Sequence, residues 1–138
     1  MARKRMSALR KRVEMRAGGR CEYCRAPQAA CGYRFHLEHI VPAAEGGSDE
    51  IGNRALACAA CNLAKGDRTT SIDPETGRIA TLFDPRTDAW DEHFHWDSDL
   101  PIITGVTPEG RATVVALDLN AELRLDARRL WRNAGLLP

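Results

Sequence analysis

Apolar positions are sparse at the start of the chain and spaced for a helix. Leu9, Val13 and Met15 form a thin stripe in a polar stretch, Ser7 stands where a cap belongs, and Gly18-Gly19 stops the run. The pattern predicts a helix over residues 7–17. Residues 33–41 (Tyr-Arg-Phe-His-Leu-Glu-His-Ile-Val) then alternate and are rich in aromatic and branched side chains, predicting a strand that Pro42 ends. Residues 45–49 read as a turn or loop, residues 54–57 as a second short strand, and residues 59–65 as a brief helix closed by Gly66. Further on, residues 73–77 form a turn between short strands, the second near residues 78–83, and residues 90–96 are aromatic. Another strand falls at residues 101–106, and Thr107-Pro108 opens a helix over residues 108–117. Asn120 is placed to cap a last helix in which Leu123, Ala127, Leu130 and Ala134 recur at helical spacing before Gly135. The fold class is α+β.

Length and composition narrow the picture. With 138 residues, 43% hydrophobic and 28% charged, the chain suits one folded domain or one domain with an appended half. We expect a core at residues 1–68 and an extension packed on it at residues 69–138. No run approaches the roughly 18 apolar residues of a membrane span. The basic first twenty residues lack the apolar centre of a secretory leader, so a small cytoplasmic protein is expected. Charge is uneven beneath a net of +1: residues 1–25 carry nine Lys/Arg against Glu14 and Glu22, while residues 69–138 carry seven against twelve acids. A cationic front end is what a polyanion such as nucleic acid would feel, although a solvated basic helix has the same composition.

Four of the five cysteines form two pairs of equal spacing, Cys21-Glu22-Tyr23-Cys24 and Cys58-Ala59-Ala60-Cys61. Each two-residue gap lets a tight turn bring both sulfurs to one point, and two such knuckles complete a tetrahedral Zn²⁺ shell. Among reduced thiols, metal binding is favoured over disulfides. The 33 residues between the pairs exceed what a minimal ribbon needs, leaving room for a further unit. Cys31 falls outside the tetrad and reads as a buried or free thiol.

That insert carries the chemistry. Glu38 and His39 are neighbours on the first strand and so point to opposite faces; Asn53 follows 14 residues after His39, and Asn62 stands immediately behind Cys61. A carboxylate and an amide oxygen suit Mg²⁺ or Mn²⁺, and an imidazole suits proton transfer near neutral pH. Cys21-x-x-Cys24, Leu37-Glu38-His39-Ile40-x-Pro42, Gly46-Gly47-Ser48-Asp49, Asn53 and Cys58-x-x-Cys61-Asn62-x-x-Lys65-Gly66-Asp67 together resemble the HNH endonucleases, in the zinc-containing branch whose last motif residue is asparagine.

The resemblance implies a ββα-metal (His-Me) finger that hydrolyses phosphodiester bonds in DNA. His39 corresponds to the general base, and Asn53 to the residue that orients the imidazole and stabilises the loop. Glu38 and Asn62 correspond to ligands of a catalytic Mg²⁺ or Mn²⁺, and Cys21, Cys24, Cys58 and Cys61 to ligands of a structural zinc. Two departures stand out: Glu38 replaces the commoner aspartate, and Arg54 stands where an apolar residue often follows the asparagine, free to reach a phosphate or merely be solvated.

His36, on the same strand face as Glu38, is an accessory candidate, as is Lys65, expected to contact backbone phosphate. His93 and His95 read as packing residues. Arg3, Lys4, Arg5, Arg10, Lys11, Arg12 and Arg16 are expected to track the DNA backbone with little sequence information. A monomer or weak homodimer is expected, since one such site cuts one strand. The competing readings are a non-catalytic zinc-stapled DNA-binding module and a zinc-stabilised protein-interaction module.

Overall fold

Three two-stranded antiparallel hairpins, each local in sequence, carry the fold, and helices join them. The computed structural model describes residues 2–137. In chain order the elements are α1 (Ala2–Ala17), α2 (Gln28–Cys31), β1 (His36–His39), β2 (Arg54–Ala57), α3 (Ala59–Lys65), β3 (Thr70–Ile72) and β4 (Ile79–Thr81). There follow α4 (Trp90–His93), β5 (Phe94–Trp96), β6 (Ile103–Gly105), α5 (Pro108–Ala116) and α6 (Glu122–Asn133). Strands pair β1–β2, β3–β4 and β5–β6.

Helix α1 starts five residues earlier than the expected Ser7 cap, because the Arg, Lys, Met and Ala that precede Ser7 are all helix formers. Its inward stripe is Leu9, Val13 and Ala17 at four-residue spacing, whereas Met15 points to solvent. That stripe packs on β2, every residue of which is buried.

The strand expected over residues 33–41 pairs only over His36–His39. Side chains take over its flanks: Phe35 N–H donates to Gln28 Oε1 (2.7 Å), and Val41 N–H donates to Asn53 Oδ1 (2.9 Å). Within the hairpin His36 faces Ala57, Leu37 faces Leu56, Glu38 faces Ala55 and His39 faces Arg54. The connection between the strands folds tightly, with single 3₁₀ turns at Ala43–Glu45 and Ile51–Asn53. A Cβ on Gly47 would lie 1.7 Å from Val41 O, so only glycine permits that approach.

Residues 69–137 pack around an aromatic cluster. Phe83 contacts Tyr23, His93 and Phe94 edge-on, and Trp90 stacks obliquely on Phe94 and Trp96. His93 serves packing and also hydrogen-bonds Thr107 Oγ1 (2.6 Å); His95 is exposed on β5. As expected, Thr107 caps α5, accepting from Gly110 N–H (3.0 Å).

Helix α6 departs from its apolar repeat. Leu123 and Leu130 are 79% and 70% exposed, while Arg128 is 1% exposed. The helix docks by its arginines because the loop it meets is a row of carbonyls lacking donors: Arg128 donates to the carbonyls of Leu119 and Pro101, and Arg124 to those of Leu117 and Asp118. Asn120 does not cap α6. Its amide instead pairs with both main-chain groups of Ile103 at the edge of β6 (3.0 and 2.8 Å), and Ala121 takes the N-cap position.

Candidate active site

Cys21, Cys24, Cys58 and Cys61 are buried, with all four sulfurs within 4.8 Å of one another. The Cys24–Cys58 separation, 3.7 Å, is close to the edge of about 3.8 Å that Zn–S bonds of ~2.3 Å impose on a tetrahedron. Cys58 Sγ caps α3 by accepting Cys61 N–H (3.4 Å), the turn that converges a C-x-x-C pair. The four soft donors therefore fit zinc. Helix α6 adds a cation: Arg124 Nη2 lies 2.9 Å from Cys61 Sγ, offsetting thiolate charge that burial alone would oppose. Cys31 lies outside the tetrad and is half-buried.

The two residues inside the first knuckle plug into the β1–β2 hairpin. Glu22 exchanges main-chain and side-chain bonds with Leu56, donating N–H to its carbonyl (2.8 Å) and accepting its N–H at Oε2 (2.8 Å). Arg86, from the extension, pairs with Glu22, and Trp90 Nε1 donates to Tyr23 O (2.9 Å). Tyr23 O–H in turn donates to Glu38 Oε2 (2.7 Å). The knuckle thus fixes the rotamer of a carboxylate on β1.

Glu38, His36, His39 and Asn62 line one open groove of about 420 Å³, bounded by the turn at residues 42–44 and by Asp67. Strand alternation sets Glu38 and His36 on one face and His39 on the other, while α3, packed on β1, brings Asn62 across. Burial pushes the Glu38 carboxyl above its ordinary range, against the opposing pull of Lys65 and Tyr23. Lys65 Nζ stands 2.5 Å from Glu38 Oε1 as a buried ion pair, so Lys65 holds one carboxylate oxygen and Tyr23 the other. A carboxylate and an amide oxygen lining one groove are a hard donor pair of the kind that suits Mg²⁺ or Mn²⁺, with Lys65 as the competitor for the carboxylate.

His39 is one-third exposed (33%), and its Nε2 lies 2.7 Å from Asp49 Oδ1. The His39 hydrogen bond, with Arg54 close by, holds the Asp49 carboxyl below its usual range, so Asp49 is a charged acceptor. In the neutral imidazole the hydrogen then sits on Nε2, toward Asp49, and Nδ1 is the acceptor nitrogen. Asn53 works on the loop: its amide donates to Val41 O (2.9 Å) and Ser48 O (2.7 Å), next to Asp49.

Three sequence expectations need correction. Lys65 does not reach out for phosphate; at 2% exposure its ammonium is held by Glu38 and by the carbonyls of Ile40 (3.0 Å) and His39 (3.4 Å). Arg54 is neither solvated nor free for phosphate; it is buried and bonds Leu37 O (2.9 Å), Asp49 O (3.3 Å) and Asp49 Oδ1 (3.4 Å). Asn53 holds the loop as expected but makes no hydrogen bond to the imidazole, whose partner is Asp49.

The α1 cations also divide. Arg10 donates to Phe35 O (2.8 Å) and Arg16 to Ile51 O (2.9 Å) and Arg54 O (2.5 Å), so both help dock the helix, while Arg3, Lys4, Arg5, Lys11 and Arg12 are exposed. Tyr23, Asp49 and Arg124 are site residues that the sequence alone does not reveal. Asp49 stands inside the Gly-Gly-Ser-Asp motif, a signal that could have found it, but nothing in a linear pattern places Tyr23 under Glu38 or Arg124 on Cys61.

The site is thus a β-hairpin and helix stapled by a four-cysteine cluster, a small zinc-type α+β frame with its polar groove between β1 and α3. The HNH endonuclease family model matches residues 21–68, the segment that contains both knuckles and the groove. No curated protein and no solved structure matches the chain. No helix among the described residues is long and apolar enough to cross a membrane.

Proposed function

We propose that this protein is a metal-dependent endonuclease that hydrolyses phosphodiester bonds in DNA. The observation that carries the reading is the convergence of Glu38, His39 and Asn62 on one open groove inside the zinc frame. Glu38 and Asn62 hold a divalent ion, Mg²⁺ or Mn²⁺, which when bound supplies Lewis-acid stabilisation of charge on the scissile phosphate and leaving oxygen. His39 Nδ1 takes the proton of the attacking water while Asp49 fixes the tautomer and the ring plane. Asn53 keeps the loop that delivers Asp49 closed, and Arg54 clamps Asp49 from behind. His36 stands at the groove mouth, where its ring meets solvent and incoming strand.

Activity is tested by nicking of supercoiled plasmid across a Mg²⁺ and Mn²⁺ series. Nicking in at least one metal and none without added divalent ion is expected; zinc-loaded, folded protein that nicks in neither contradicts the proposal.

A further inference from the structure

Composition presents the basic segment as one electrostatic unit, but the helix splits it. At 100° per residue, Arg3, Ser7, Arg10 and Lys11 share one flank of α1, while Arg5 and Arg12 turn to another, the side from which Arg16 reaches Ile51 and Arg54. The first flank borders a groove. A hollow of about 500 Å³ runs between it and the α2–β1 connection, with Arg10, Lys11 and Arg34 on its walls. It continues into a second hollow of about 310 Å³ that shares Ser7, Arg10 and Arg34 and adds Arg3 and Leu37. Leu37 also borders the catalytic groove. Through these shared lining residues the hollows follow one another from α1 toward the groove that holds His39, and the cations of this depression, Arg3, Lys11 and Arg34, are exposed and make no ion pair among the described residues. Glu14, at the far end, is tied up by Gln28 Nε2 (3.1 Å) and by Arg10 (3.7 Å).

We propose that the DNA strand to be cut enters the active site along this depression, its phosphates set on Arg3, Lys11 and Arg34, and that Arg5 and Arg12 on the opposite flank do not touch it. The inference rests on the endonuclease reading and deepens it by giving the substrate a path. Arg34 is the new participant: it lies outside the basic segment and the metal-finger motif, and only the fold sets it against α1. The reach from Arg3 to Lys11 along the helix is about 12 Å, roughly two nucleotide steps of an extended strand.

The test uses full-length His39→Ala protein, which binds without cutting, and a fluorescein-labelled DNA duplex read by anisotropy between about 50 and 200 mM salt. Adding Lys11→Ala with Arg34→Ala is expected to lower the slope of log affinity against log salt by about two and to weaken binding roughly tenfold. Adding Arg5→Ala with Arg12→Ala is expected to leave both near the parent. All four side chains are exposed, and zinc content confirms each fold. Equal losses from the two pairs, or a loss from Arg5 and Arg12 alone, overturn the path while wild-type plasmid nicking keeps the endonuclease reading. A parent with no salt-dependent affinity for DNA overturns both.

Discussion

Lys65 and Glu38 form the least expected pair in the site. A buried ammonium beside a buried carboxylate is costly to desolvate, and here two main-chain carbonyls share the ammonium. The ion pair competes with any divalent cation for Glu38 Oε1. Lys65→Met is therefore expected to raise the affinity for Mn²⁺ by calorimetry; unchanged affinity would place the metal elsewhere. Asp49 offers the second residue-level prediction. Asp49→Asn presents an amide that can donate to Nε2 and reverse the tautomer, so kcat should fall about a hundredfold with KM and zinc content little changed. Nitrogen chemical shifts of the His39 ring should report the reversal directly. His39, Asn62 and the cysteines were legible in the sequence because motif spacing encodes them. Asp49 and Tyr23 were not, because their roles depend on a loop closure and a side-chain direction that spacing does not contain.

Hairpin β1–β2 and its loop stand on local rules that the sequence does expose: alternation, Pro42, and glycines at the turn. The loop is also where tolerance is smallest. A Cβ at Gly47 would sit 1.7 Å from Val41 O, so Gly47→Ala should destabilise the protein by about 2–3 kcal/mol in chemical denaturation, against a negligible change for Gly52→Ala, which meets nothing. Helix α6 shows the limit of periodicity. Its leucines repeat correctly for a core-facing stripe, yet the helix turns Arg124, Arg128 and Trp131 inward and leaves Leu123 and Leu130 in water. Unsatisfied carbonyls and thiolates outweighed apolar burial, and neither can be seen before the loop they belong to is folded. Arg124→Met is accordingly expected to speed zinc release to a chelator, whereas Leu123→Ala should not.

In the assembled molecule the extension braces the metal finger from three sides: Arg86 on Glu22, Trp90 on Tyr23, and Arg124 on Cys61. A remote ion pair helps to lock the extension itself. The Asp73 carboxylate, held by Arg111 (2.9 Å at both oxygens), lies well below the ordinary carboxylate range. A depressed folded-state pKa contributes stability above the unfolded value, near 3.9, and loses it as pH falls from there through the folded value. Asp73→Asn should thus lower the thermal midpoint near neutrality and flatten the acid limb of its pH profile, the two proteins converging as the pH drops. Groove, zinc frame and brace all serve one chemical claim, that His39 activates water against a phosphate held opposite Glu38 and Asn62. The most direct test is the single-strand cleavage rate of wild type and His39→Ala, side by side, at equal zinc content and saturating Mn²⁺. A loss of about a thousandfold in the variant is predicted; equal rates would contradict the account.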